Sequence, residues 1–159
     1  MDSELKSSAQ RVQAALHDAG VDLRVVQLPT STRSASEAAQ AIGCRLEQIA
    51  KSLVFRRGDT GDAVLVVASG PNRVDENKLG TALGWQLELA KASFVKKTTG
   101  YAIGGVPPLG HETALTTIVD PHLMTLDSIW AAAGTPHAVF QLTPTDLLRI
   151  TSGQVVEIC

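Results

Sequence analysis

Apolar positions Val12, Ala15, Leu16 and Ala19 recur at helical spacing and Gly20 can end the run, which predicts a helix over residues 4–19. Leu23–Leu28 then reads as a strand stopped by Pro29, and Thr30–Arg33 as a polar loop. Ser34 and Glu37 stand at capping-box spacing ahead of a helix that should run to Ile42, with Gly43 as its C-cap. Leu46–Ala50 predicts one more helical turn feeding a strand over Lys51–Arg56; residues 57–62 are turn chemistry. Ala63–Ala68 is an uninterrupted apolar run and therefore a buried strand. A loop at residues 69–73, a helix at 75–83, a short strand at 86–89 and a short helix at 93–97 follow. Gly100–His111 is a loop rich in glycine and proline. Strands are expected at 116–119, 129–133 and 138–142, with a well-signalled helix start at Thr143-Pro144-Thr145-Asp146 and a last strand at 155–158. Consecutive strands are too frequent for a regular βαβ series. The pattern predicts one α+β domain over residues 1–159 with a curved, mostly antiparallel mixed sheet.

Composition narrows the function more than the fold. The 159 residues are 44% hydrophobic, enough for one core, and mean hydropathy is +0.09. A charged fraction of 19%, a net charge of −2 and a pI near 6.0 argue against a broad electrostatic footprint on nucleic acid. A protein that touches only the tip of an RNA is compatible with them. Cys44 and Cys159 are far apart in sequence and are expected to be reduced thiols. Met1-Asp2-Ser3-Glu4 is unlike a signal peptide, and no apolar run reaches membrane-spanning length, so a cytoplasmic protein without membrane contact is expected.

Most familiar catalytic patterns are absent. There is no G-x-S-x-G elbow, and Ser69-Gly70 has no marked His and Asp partners. His17, His111, His122 and His137 are not at zinc spacing, and neither a metal nor a cofactor is expected. Gly104–Gly110 lacks the Gly-Lys-Ser/Thr ending of a phosphate loop, yet Pro107 and Pro108 stiffen it, so it can present fixed backbone N–H groups to a ligand oxygen. Lys51 opens an apolar strand, where a lysine either snorkels to water or serves a ligand.

Four segments in order carry a resemblance: Ile49–Phe55 around Lys51, Ser69–Asp75, Gly100–His111, and Trp130–Phe140. Together they resemble the YbaK-like family, freestanding relatives of the editing domain inserted in bacterial prolyl-tRNA synthetases. The likeness spans about residues 8–158. It implies a barrel-like mixed sheet flanked by helices. It also implies hydrolysis of the ester joining a wrong amino acid to the 3′ adenosine of tRNA, chiefly tRNA for proline. A missing methylene gives a synthetase pocket only about 1–3 kcal/mol of discrimination, which is why a second sieve is needed.

By the same resemblance, Lys51 is the functional lysine, and Gly104 and Gly105 are the glycine pair whose amides line the reacting centre. Ser52 stands where many relatives have threonine. Ser69 and Asn72 fall on a loop expected near the adenosine, and Thr30 on one expected near the amino-acid pocket. The cysteine-specific branch is similar except that it ends the loop with Gln where this chain has His111, and carries Ser and Asp where this chain has Ala132 and Val139. The alanine-specific branch places a functional His where Ala132 and Ala133 stand. Gly134-Thr135-Pro136-His137 resembles a subgroup that clears alanine or 2-aminobutyrate, making Gly134, Thr135 and His137 expected substrate-binding residues alongside His111. Expected partners are the aminoacylated 3′ end and prolyl-tRNA synthetase. Two readings stay open at this point: a deacylase, and a non-catalytic module that binds aminoacyl-tRNA ends or a synthetase. A thiol-redox role for Cys44 has no resolving partner to support it.

Overall fold

The computed structural model describes residues 5–159. The first helix, α1 (Ser7–Asp18), buries Ala9, Val12 and Leu16 and is followed by Gly20 at φ +77°. Its expected start at residue 4, and the acidic Met1–Glu4 stretch, lie outside the described residues. After β1 (Val25–Gln27), α2 (Ala35–Ile42) begins at the anticipated capping box. The Glu37 amide donates to Ser34 Oγ at 3.1 Å, and the Ser34 amide donates to the Glu37 carboxylate at 3.3 Å.

Leu46–Gln48 makes a single 3-10 turn, shorter than the helical turn expected to reach Ala50. Ile49 and Ala50 instead pair with Trp130 and Ala131, so sheet hydrogen bonding claims that backbone first. Then come β2 (Ile49–Arg57), β3 (Ala63–Ser69), α3 (Glu76–Leu83), β4 (Leu87–Leu89) and α4 (Ala92–Thr99). β5 (Thr116–Val119) leads into a 3-10 turn, Pro121–Thr125, which the periodicity did not reveal. β6 (Ile129–Ala132), β7 (Ala138–Leu142), α5 (Pro144–Thr151) and β8 (Gln154–Val155) complete the order. The last strand is shorter than expected. Ile158 is fully buried, and its carbonyl accepts from the Asp75 amide at the start of α3 rather than from a strand.

All eight strands join one mixed sheet in the order β1-β7-β6-β2-β3-β5-β8, with β4 added to β2. Four pairings are antiparallel and three parallel. The path is open, ending at β1 and β8. β3 explains its own composition: Leu65 and Val67 pack with Leu16 and Phe140 on one face, while Val64, Val66 and Ala68 pack with Leu79, Ile118 and Ile158 on the other. Burial on both faces demands an apolar residue at every position.

One feature of the sheet positions everything functional. β2 and β6 pair in parallel only at Ile49↔Trp130 and Ala50↔Ala131. Beyond that point the strands part, and the residues that follow, Lys51–Leu53 and Ala132, face a cavity.

At the far end of β3, Gly70 lies against the 3-10 turn, and a Cβ there would run into the carbonyl oxygen of Leu46. Gly70→Ala should therefore cost about 1–3 kcal/mol of stability by forced repacking. Urea unfolding measures this, and an unchanged midpoint would contradict the packing.

Candidate active site

The cavity between β2 and β6 has a volume of about 260 Å³. Its apolar wall includes Ile49, Trp130 and Val139; its polar edge includes Thr32, Arg33, Lys51 and Ser52; Gly104 and Val106 close one side. The expected pair, Lys51 and Gly104, thus reach one hollow. Lys51 is half-buried, and its Nζ donates to the Gly70 carbonyl at 2.9 Å. Burial pulls its pKa below the ordinary lysine value; the Asp120 charge opposes that shift, and the Arg73 charge reinforces it.

The two glycines do different work. Gly104 has φ +98°, and a Cβ on it would lie 2.7 Å from Arg33 Cγ. Gly105 presses against the next turn: its Cβ would sit 2.9 Å from the Thr135 amide nitrogen and 3.0 Å from the Gly134 carbonyl carbon. The Gly105 amide donates to Ala102 at 3.0 Å, so it is closed into a turn and does not line a reacting centre as expected. The amides of Gly104 and Val106, both on the cavity wall, have no acceptor among the described residues.

A backbone clamp joins three loops at this edge. Gly134 N–H donates to Gly105 O at 2.8 Å, Leu28 N–H to His137 O at 2.7 Å, and Thr32 N–H to Pro136 O at 2.6 Å. Within it, Thr135 Oγ1 accepts from the His137 amide, and His137 Nδ1 is 3.2 Å from the Thr30 carbonyl. Thr30 and His137 are exposed, and neither they nor Gly134 and Thr135 line the cavity. These four expected binding residues therefore shape the rim; the residue the clamp delivers to the wall is Thr32.

Ser69 and Asn72 are likewise off the wall. The Asp120 carboxylate, only 3% exposed, accepts from the Ser69 amide (3.0 Å), Asn72 Nδ2 (2.8 Å) and the His122 amide (3.0 Å). Ser69 Oγ donates to the Glu47 carbonyl at 2.6 Å. Asn72 Nδ2 also approaches His122 Nδ1 at 3.2 Å, which makes that nitrogen an acceptor and leaves Nε2–H facing Glu47 Oε2 at 3.3 Å. These bonds brace the loop whose Gly70 carbonyl accepts from Lys51.

His111 is not a wall residue either. Its Nε2–H donates to the Pro107 carbonyl at 2.7 Å and its ring meets Tyr101 edge-on, on a different depression of the surface. It locks the Gly100–His111 loop from behind. Burial lowers its pKa, and the hydrogen bond to Pro107 offsets part of that.

Thr32, Arg33 and Asp120 went unnoticed in the sequence, where nothing in their spacing marks them. Thr32 Oγ1 and Ser52 Oγ are buried on the cavity wall with no hydrogen-bond partner. Each such hydroxyl costs about 1–3 kcal/mol, which a ligand atom would recover. Among the described residues no His/Cys/Asp/Glu group could hold a metal ion, and no helix is long and apolar enough to cross a membrane. Cys44 and Cys159 are unbridged.

The α+β domain thus brings a lysine and a glycine-proline loop together in one hollow between parting strands. The family description "Aminoacyl-tRNA editing domain" matches residues 30–150, and the chain belongs to that family. Protein YwhH of Bacillus subtilis is 31% identical over 136 residues, covering 85% of this chain and 86% of that one. EbsC of Enterococcus faecalis, provisionally named a Cys-tRNA(Pro)/Cys-tRNA(Cys) deacylase, is 31% identical over 79% of this chain and 76% of its own. A crystal structure described as a candidate trans-editing enzyme for prolyl tRNA synthetase superposes with a TM-score of 0.91 at 47% identity, covering 98% of each chain.

His111 gives a prediction separate from catalysis. The folded chain protonates this ring less readily than the unfolded chain, whose histidine titrates near about 6.5. Its contribution to stability is present above that value and is lost as pH falls toward the lowered folded pKa. His111→Gln should flatten this part of the acid slope in urea unfolding between about pH 7 and 5; an identical slope would show that His111 does not titrate on unfolding.

Proposed function

We propose that the protein hydrolyses, in trans, tRNA(Pro) carrying a small wrong amino acid, alanine before cysteine or serine. The carrying observation is the pair of unpartnered buried hydroxyls, Thr32 Oγ1 and Ser52 Oγ, in a cavity that also holds the Lys51 ammonium and, among the described residues, no carboxylate. The side-chain end is lined by Ala35, Ala38, Val139 and their neighbours, which suits a methyl group and offers a thiol or hydroxyl no charged partner. The two hydroxyls are left to meet the α-amino group of the bound ester.

The reaction needs a donor for the ester oxygen as it becomes an oxyanion. The N–H groups of Gly104 and Val106 and the Lys51 ammonium are suited to that role. Among the described residues no histidine or acid lines the cavity, and no protein general base is assigned. A water attacks the ester carbonyl carbon and gives its proton to the substrate's own amino or ribose hydroxyl group. The bond to the ribose oxygen breaks, and that oxygen takes a proton to leave a free 3′ end and the released amino acid. Rate then rests on positioning and on the preorganised donors.

The test is deacylation of alanyl-, 2-aminobutyryl-, cysteinyl- and seryl-tRNA(Pro). Alanyl-tRNA(Pro) should be cleared fastest, and Lys51→Ala should lower kcat/KM by about 100-fold or more. Failure to clear any member would instead favour the non-catalytic tRNA-end-binding module. Enzymatic rate, corrected for spontaneous alkaline hydrolysis, should fall with rising pH below the ordinary lysine value of about 10.4, because burial lowers the Lys51 pKa. Lys51→Arg should carry that falling limb to higher pH; a limb that stays put would remove Lys51 from the titration.

A further inference from the structure

We infer that Arg33 and Arg73 form a two-point grip on the phosphodiester backbone of the RNA strand that enters the cavity. The inference rests on the deacylase reading above and adds to it how a protein of net charge −2 holds RNA at all.

Most arginines in this chain have a carboxylate beside them. Arg11, Arg24, Arg45, Arg56 and Arg57 each have a carboxylate within 4 Å: Glu112, Asp22, Glu47, Glu88 and Asp59 respectively. Three arginines, Arg33, Arg73 and Arg149, have none among the described residues. Arg149 is on α5, while the other two belong to the site. Arg33 is a cavity-edge residue. Arg73 lies on the β3–α3 loop that receives the Lys51 ammonium, close enough for its charge to act on Lys51.

The nearby acids are already committed. Asp120 is buried under three donors, Glu47 faces Arg45 and His122, and Glu37 belongs to the α2 capping box. Among the described residues, neither Asp nor Glu lines the cavity wall. Among the described residues, no carboxylate lies within 4 Å of either guanidinium, so both remain available to an anion.

Geometry adds to charge. Gly104 has no side chain, and the Arg33 stem lies over it, with Cγ 2.7 Å from where a Cβ would be. A stem laid on a rigid loop loses less freedom when its guanidinium engages a ligand. A guanidinium suits a phosphodiester, whose oxygens match its fork of N–H donors. It does not suit the α-ammonium of the substrate, which it repels. The ester therefore belongs inside with the hydroxyls, and the phosphates outside with the arginines.

The experiment uses the full chain with Arg33→Gln, Arg73→Gln and, as control, Arg149→Gln. Against alanyl-tRNA(Pro), each rim variant should raise KM about tenfold with kcat little changed. Each should also reduce the slope of log(kcat/KM) against log salt by about 0.7 between about 50 and 200 mM. The control should do neither. On 3′-alanyl-adenosine, which has no phosphate, all three variants should match the parent chain. Unchanged KM and salt slope would overturn the grip. So would a loss of rate on alanyl-adenosine, since the arginines would then act at the ester. If the parent chain clears no substrate, the deacylase reading fails by itself. Binding of a short unacylated single-stranded RNA with its phosphodiesters intact then decides the grip, with about tenfold weakening expected in each rim variant and equal binding overturning it.

Discussion

Backbone touches backbone where Gly105 meets Gly134 and Thr135, and the site depends on that approach. A Cβ on Gly105 would lie 2.9–3.0 Å from main-chain atoms of the facing turn, and one on Gly134 would lie 2.7 Å from the Ser8 carbonyl oxygen of α1. Neither obstacle is the end of a flexible side chain, so neither could swing away. With both positions bare, the Gly134 amide reaches the Gly105 carbonyl, and the segment from Leu28 to Thr32 bonds along the same turn. Thr32 is thereby brought to the cavity wall, and the loop bearing Gly104 is fixed opposite Lys51. The glycines serve assembly more than access.

The other side of the cavity is organised by a buried charge. Asp120 follows β5, whose parallel pairing with β3 brings it beside Ser69. Three N–H donors satisfy its carboxylate, which is what makes such burial tolerable. Lys51 is not ion-paired to it directly; the ammonium bonds instead to the Gly70 carbonyl on the loop that Asp120 braces. A direct contact would give the lysine a full counter-charge and weaken its pull on a substrate oxygen. A neutral carbonyl with Asp120 at a remove keeps the ammonium positioned while leaving much of its field available.

Local signals in the sequence translated directly into structure. The Ser34–Glu37 and Thr143–Asp146 boxes cap helices, and the apolar run Ala63–Ala68 is a strand buried on both faces. A charged residue in an apolar strand and a glycine-proline loop each break a local rule and so draw attention to Lys51 and Gly104, while the roles expected of them come from the family resemblance. Ser69, Asn72 and His111 are marked by the resemblance, and in the structure their polar atoms are engaged by Asp120, Glu47 and Pro107. A motif records that a polar group matters without saying whether it faces a ligand or the protein. Thr32 was missed by two positions in favour of Thr30, since only the long-range bond from the Thr32 amide to Pro136 decides which hydroxyl turns inward. Asp120 and the unpaired state of Arg33 are products of tertiary structure and have no local signature.

The charge pattern also bears on how water could be activated without a protein base. The α-amino group of an aminoacyl ester bound here would sit near the Lys51 ammonium, with no carboxylate among the described wall residues to stabilise a second cation. Neighbouring positive charge and partial desolvation both disfavour protonation, lowering an amine pKa from its unperturbed value of about 7.7–8.0. The same features that attract the ester oxygen and the flanking phosphates would therefore free the amine lone pair to accept a proton from the attacking water. On this view the absence of acid from the wall is itself functional: a carboxylate beside the amine would tighten ground-state binding while holding that amine as an ammonium unable to act as a base.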